Sequence, residues 1–330
     1  MKKCCFIIPY FGKFPNYFQL FLNSCSYNTD YNWIIFTDNN KYYQYPPNVR
    51  IIKTDFISFK NHIQSFFDFN IVLDQPHKLC DYKPAYGYLF EKYISEYMFW
   101  GYCDIDIIMG DLNSFITDDM LYNYDKIFCL GHMTLFKNTK ENNRVFLHDF
   151  KGKSLHKISF MSQKTTTFDE EWRDENNINQ LFISEGKNVF INDFSMNPAI
   201  KYNKFIRTQY VGINEAPLTH GYKNEQYKNA VYIWDKGHIY RYFLESENLV
   251  KEEYIYMHFQ MRNMKVNKDI LNKNIFKIIP NEFTILEFNN ITKYNFSSIK
   301  KTGNCNQRME LLKRKINKKI KKITSCLKLA

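Results

Sequence analysis

No stretch of this 330-residue chain is long and apolar enough to span a bilayer. None of its eight cysteines forms a CxxC pair or takes metal-finger spacing. Cys4 and Cys5 are adjacent and Cys103 lies beside an acidic pair, so reduced thiols of a cytosolic protein are expected rather than a disulfide framework. No G-x-G-x-x-G or Walker pattern occurs, which argues against a dinucleotide fold and a P-loop. There is no internal repeat, and no linker-like stretch before residue 265. Acidic residues are in deficit, 34 against 45 Lys and Arg, giving a formal net charge of +11. Most of that excess sits after Arg308, where Lys313, Arg314, Lys315, Lys318, Lys319, Lys321, Lys322 and Lys328 face only Glu310. The body is near balance, which weakens the case for a nucleic-acid-binding surface.

What is present is a core. Hydrophobic residues make up 45% of the chain and aromatic residues 18%, too much for a mainly disordered protein and enough for one large domain or two packed halves. The opening Lys2-Lys3-Cys4-Cys5-Phe6-Ile7-Ile8 superficially resembles a leader. Its apolar run is short and meets Pro9, so a first buried strand is the better reading. After the first strand Phe18, Phe21, Leu22 and Cys25 recur at helical spacing, and Trp33–Phe36 and Val49–Ile52 then read as further strands. Pro84 suits a first helical turn, with Tyr86, Leu89, Phe90, Tyr93, Ile94 and Tyr97 as the inner stripe. Phe99–Cys103 is the next strand. In the second half, Ile178, Leu181 and Phe182 predict a helix ended by Gly186. Val189–Ile191 and Tyr254–Met257 predict strands. Strands alternating with helices imply an α/β fold with a mostly parallel sheet flanked by helices.

Ligands of such sheets bind beyond the carboxyl ends of the strands. The polar endings Tyr10-Phe11-Gly12, Thr37-Asp38-Asn39 and Asp104-Ile105-Asp106 would then lie along one edge. The last is the most informative. Residues i and i+2 of an extended chain point to one side, so Asp104 and Asp106 aim at one point. Two carboxylates there repel unless a cation lies between them. Mg²⁺ and Mn²⁺ take oxygen ligands and share them with diphosphates. The plain alternative is a solvated turn. His258, at the end of an apolar strand with Gln260 and Arg262 following at period two, is either another ligand or a hydrogen-bonded histidine at the sheet edge.

Taken in order, Ile8-Pro9-Tyr10-Phe11-Gly12, Thr37-Asp38-Asn39, Leu79–Gly87, Trp100–Asp106, Gly131–Asn138 and Tyr256–Gln260 match a family. Over about residues 1–265 the chain resembles a GT-A-fold (Rossmann-like), DXD-type glycosyltransferase of the bacterial capsule and O-antigen (lipopolysaccharide) group. The resemblance implies that Pro9, Tyr10, Phe11 and Gly12 flank the nucleobase and ribose of a nucleotide-sugar, and that Asp38 lies near the nucleoside. It implies Asp81 and Lys83 near the ribose and phosphates, and Asp104 and Asp106 as the metal-binding pair. His258 would complete the metal shell, with Arg262 near phosphate. The implied cofactor is Mn²⁺ or Mg²⁺ and the implied donor a UDP-hexose. The sugar-selecting residues match no characterised member, so donor identity stays open.

The leaving nucleoside diphosphate then needs charge neutralisation rather than a proton. An inverting reaction also needs a carboxylate base for the acceptor hydroxyl. Asp169 and Glu170, within Phe168-Asp169-Glu170-Glu171-Trp172, and Asp193 are the candidates; a solvated acidic loop is the plain alternative. His132 either faces the acceptor or is a satisfied core histidine. The expected organisation is a catalytic domain over 1–265 (nucleotide-sugar half 1–112, acceptor half 113–265), an extension over 266–299 and a basic amphipathic helix over 300–330. In that tail Met309, Leu312, Ile316, Ile320, Ile323 and Leu327 form one apolar stripe among basic residues, as in helices that lie on anionic membranes. The expected partners are a nucleotide-sugar, a glycan or lipid-linked glycan acceptor and an anionic membrane surface, with no nucleic acid. The expected location is the cytoplasmic face of the inner membrane. Two other classes stay open: an aspartate-nucleophile phosphohydrolase, and a non-enzymatic basic membrane or nucleic-acid adaptor.

Overall fold

The computed structural model describes residues 2–172, 175–260, 262–303 and 306–327. They form two compact units. One comprises Met1–Ile105, Asp111–Phe194 and Tyr210–Tyr222; the other comprises Asp106–Gly110, Ser195–Gln209 and Lys223–Ala330.

The first unit is α/β, built on a seven-stranded sheet. Its strands run in the order Val189–Phe190, Lys126–Leu130, Met133–Lys137, Tyr97–Cys103, Lys2–Pro9, Tyr31–Thr37 and Val49–Lys53. Four of the neighbouring pairs are parallel, and Met133–Lys137 is antiparallel to both of its neighbours. Cys4 to Ile8 are all buried, because a sheet covered on both faces takes continuous apolar runs. Helices Phe18–Ser26 and Ile178–Ser184 form at the expected places. The Asn177 side chain caps the second by accepting from the backbone N–H groups of Asn179 and Gln180.

The single helix expected from Pro84 to Tyr97 is instead broken. Pro76–Ala85 is 3₁₀, Tyr86–Leu89 and Glu91–Ile94 are single turns, and Tyr97 opens the next strand. Pro84 lacks the N–H that an α ladder needs. Beyond it the Trp100 indole lies so close to Gly87 that a Cβ there would stand 2.3 Å from the ring. Trp100 also stacks on Phe136 and donates to Asn143 at 2.6 Å. Packing on this indole, not helical periodicity, shapes the segment.

The second unit contains a six-stranded sheet in the order Asn248–Tyr254, His238–Glu245, Val231–Asp235, Ile275–Ile279, Glu282–Thr284 and Lys265–Val266. It is antiparallel except for its last pair. Arg241 is buried within it, held by Glu225 through two bonds at 2.6 and 2.8 Å and by Glu252 at 2.8 Å. The strand expected over Tyr254–Met257 is split at Ile255. Its second part, Tyr256–His258, leaves the sheet to pair antiparallel with Ile107–Met109. A final α-helix covers Gln307–Leu327. No helix among the described residues is long and apolar enough to cross a membrane.

Candidate functional site

In the first unit, Lys2–Pro9 lies parallel between Tyr97–Cys103 and Tyr31–Thr37. The carboxyl ends of these three strands therefore share one edge, where α/β sheets bind ligands. Gly12, at φ +99°, turns the chain after the first strand. Asp38 accepts the Gly12 N–H at 2.7 Å, and the Asn39 amide donates to the Gly12 carbonyl at 2.9 Å. The two side chains thus brace the loop expected to flank a nucleobase. Pro9 and Tyr10 are half-buried and Asp38 and Gly12 exposed. Phe11 is not presented to a ligand: it is buried, with its ring against Phe56 and Phe59.

Lys83 is the electrostatic centre of this edge. Its ammonium lies 3.0 Å from Asp104, 3.4 Å from Asp169 and 2.7 Å from the Gly131 carbonyl, 5.1 Å from the Tyr102 ring centroid. Burial alone would lower this ammonium, but the Asp104 and Asp169 carboxylates outweigh burial and hold its pKa well above the ordinary value. Asp169 is shut from solvent, and its backbone carbonyl accepts the Tyr102 hydroxyl at 2.6 Å. Burial pushes its carboxyl up to about 8; Lys83 pulls the other way, while Glu170, Asp81 and Asp104 add to the rise. Burial is the largest cause, so the Asp169 carboxyl holds its proton well above the ordinary carboxylate range despite Lys83. Gly131 permits the crowding, since a Cβ there would sit 2.8 Å from Glu170 Oε2 and 3.0 Å from Asp169 Oδ2. Glu170 is half-buried, and its Oε2 accepts the Gly131 N–H at 3.3 Å. Asp193 is buried and accepts the Tyr210 N–H at 3.1 Å. His132 is buried, with its carbonyl accepting the Asp104 N–H at 3.1 Å.

In the second unit, Asp106 and His258 meet although 152 positions separate them: Asp106 Oδ1 lies 3.3 Å from His258 Nε2. The backbone enforces this approach. His258 is in register with Ile107, and the Phe259 N–H donates to the Asp106 carbonyl at 2.8 Å. The bend between strands, not an extended run, carries both Asp104 and Asp106.

Two expected ligand-binding residues are engaged elsewhere. Asp81, expected near the ribose, is fully buried. It takes the Lys78 ammonium at 2.5 Å and the Thr166 N–H at 2.9 Å, so it clasps the loop before Phe168. The same bonds disqualify the Cys80, Asp81 and Asp169 group as a cation site, although their ligand atoms lie within 4.8 Å of one another. Arg262, expected near phosphate, is buried and donates to the carbonyls of Ala199 and Tyr202, both at 3.0 Å. Sequence reasoning missed Lys78 as the partner of Asp81, although the i,i+3 spacing was a signal. It also missed Tyr210 and Tyr222, which no motif marks.

Residues 6–287 match the model of a family described as "Family of unknown function (DUF6625)". The chain belongs to this family. No curated protein matches it. Among solved structures it is similar to an active-site mutant of LgtC, at 14% identity and a TM-score of 0.35, over 59% of this chain and 75% of that one. It is also similar to the galactosyltransferase LgtC in complex with donor and acceptor sugar analogues, at 12% identity and a TM-score of 0.33, over 59% of this chain and 76% of that one.

Proposed function

We propose that this chain is a metal-dependent glycosyltransferase that moves a hexose from a nucleotide-sugar, a UDP-hexose, to a surface-polysaccharide or lipopolysaccharide acceptor. The observation that carries the reading is the Asp106–His258 approach at 3.3 Å. A carboxylate and an imidazole from distant segments, with a second carboxylate two residues along the chain at Asp104, form a donor set that suits Mn²⁺ or Mg²⁺. In this reading Asp104, Asp106 and His258 hold the cation. When bound, such an ion offsets negative charge on the diphosphate as the sugar–phosphate bond breaks.

The chain's own residues do the rest. The Pro9–Gly12 loop, held by Asp38 and Asn39, receives the nucleoside. Lys83 adds fixed positive charge beside the leaving group. As the acceptor oxygen bonds to the anomeric carbon, its hydroxyl proton passes to a carboxylate. Glu170 is the best placed for this, being half-buried where Asp169 and Asp193 are buried. In a retaining reaction these acids would only hold the acceptor. Asp81 and Arg262 serve as braces.

The final helix presents Met309, Leu312, Ile316 and Ile320 to solvent. Lys328 and the side chains of Lys318, Lys319, Lys321, Lys322, Ile323 and Leu327 lie outside what is described. In the proposal this helix brings the enzyme to an anionic membrane bearing the acceptor, each basic residue contributing on the order of 1 kcal/mol. The testing experiment is a panel of nucleotide-sugars screened for Mn²⁺-dependent hydrolysis. Turnover of a UDP-hexose that is lost in Asp106→Ala supports the proposal. Trapping of a phospho-aspartate instead would replace it with a phosphohydrolase.

A further inference from the structure

Three of the four tryptophans are buried: Trp33 and Trp100 at 0% and Trp234 at 2% exposure. Trp172 is 38% exposed. It stands directly after the carboxylates of Asp169, Glu170 and Glu171, and its ring meets Tyr222 edge-on at 5.2 Å. Tyr222 is itself fixed. Its hydroxyl donates to the Glu171 carbonyl at 3.0 Å, and its ring contacts Tyr210 at 5.3 Å. The loop joining Tyr210 to Tyr222 is closed by the Val211 N–H donating to the Gly221 carbonyl at 2.8 Å. Gly221, at φ +86°, is needed there, because a Cβ would stand 2.5 Å from the Tyr210 ring. The same loop exposes Leu218 at 96% and Ile213 at 49%. The result is a pre-set aromatic surface beside an acidic segment, since Asp169, Glu170 and Glu171 directly precede Trp172 and Glu170 is half-buried.

An exposed indole braced by a second ring, with carboxylates beside it, has the chemistry of a carbohydrate platform. The C–H face of a pyranose stacks on the ring while a hydroxyl donates to the half-buried Glu170 carboxylate. A simple apolar partner would strip water from the half-buried Glu170 carboxylate and offer it no donor in exchange, at a cost of the kind that buried polar groups incur. We propose that Trp172, supported by Tyr222, binds a hexopyranose ring of the glycan acceptor and presents its hydroxyl to Glu170. This deepens the transferase reading and rests on it, but the binding needs neither metal nor nucleotide.

Because Trp172 is the one exposed tryptophan, acrylamide quenching of the full-length chain reports on it selectively. The probes are methyl β-D-galactopyranoside, methyl β-D-glucopyranoside and methyl α-D-mannopyranoside, added without metal or nucleotide. At least one should protect the quenchable fraction. Saturation-transfer NMR should show magnetisation reaching the ring protons of that glycoside, lost in Trp172→Ala and regained in Trp172→Phe, which keeps a ring. No protection by any of the three, or transfer that persists in Trp172→Ala, overturns the platform. If protection fails while Mn²⁺-dependent UDP binding stands, the platform alone is wrong. If protection holds while that binding is absent, the chain is a glycan-binding protein and the transferase reading is wrong.

Discussion

Replacing Lys83 by Met should destabilise the first unit in a pH-dependent way. The ammonium pairs with Asp104 at 3.0 Å and Asp169 at 3.4 Å and donates to the Gly131 carbonyl at 2.7 Å. The Asp104 side chain is 35% exposed and can turn to water, so its share is about 0–1 kcal/mol. The carbonyl loses roughly 1 kcal/mol. Asp169, 4% exposed, cannot reach water. Removing the partner of a buried charge costs about 3–5 kcal/mol. Asp169 avoids that cost while protonated, which burial favours up to about pH 8. A folded-state pKa above the unfolded value means the native protein binds the extra proton, so stability falls as pH rises between the two. Losing Lys83 raises that pKa further and extends the fall. Urea unfolding should therefore show a loss of about 1–2 kcal/mol at pH 6 that grows to about 3–5 kcal/mol above pH 9. Adding Asp169→Asn should remove the pH-dependent part. Equal losses at both pH values, or a pH difference that survives in the double variant, would refute the reasoning.

Gly131→Ala should lower stability by about 1–3 kcal/mol, because the new methyl meets carboxylate oxygens of Glu170 and Asp169 at 2.8 and 3.0 Å; thermal melting checks this, and an unchanged midpoint contradicts it. His156 is buried among the rings of Phe69, Phe146 and Phe160, and burial, aided by Lys157, pushes its pKa down to about 4. The native state therefore excludes a proton that the unfolded chain takes up near pH 6.5, so stability should be lost as pH falls through that window, by roughly 3 kcal/mol at most. His156→Phe should flatten this slope in urea titrations from pH 4 to 7, and a slope equal to that of the unmodified chain counts against it.

The strands of the first unit are legible because Cys4–Ile8, Trp33–Phe36 and Phe99–Cys103 are continuous apolar runs that only a covered sheet accommodates. The second sheet is not, because it hides polar residues inside. Arg241 and Lys277 are 2% and 1% exposed, and each is neutralised by acids from elsewhere in the unit. A lone Arg or Lys within a strand carries no sequence signal of such burial. The same limit applies at the site. Asp81 and Arg262 carry charges where the resemblance implies ligand contacts, but Lys78, the Thr166 N–H and the carbonyls of Ala199 and Tyr202 absorb them, and only tertiary pairing reveals it. The strand register that brings Asp106 to His258 likewise has no local signature, since it joins segments 152 positions apart in the chain.

The most direct test of the central claim is Mn²⁺ binding followed by loss of the free-ion electron paramagnetic resonance signal. The unmodified chain should take up one Mn²⁺, more tightly with UDP present, and Asp106→Ala and His258→Ala should each abolish that uptake. Uptake by either variant equal to that of the unmodified chain would contradict the account.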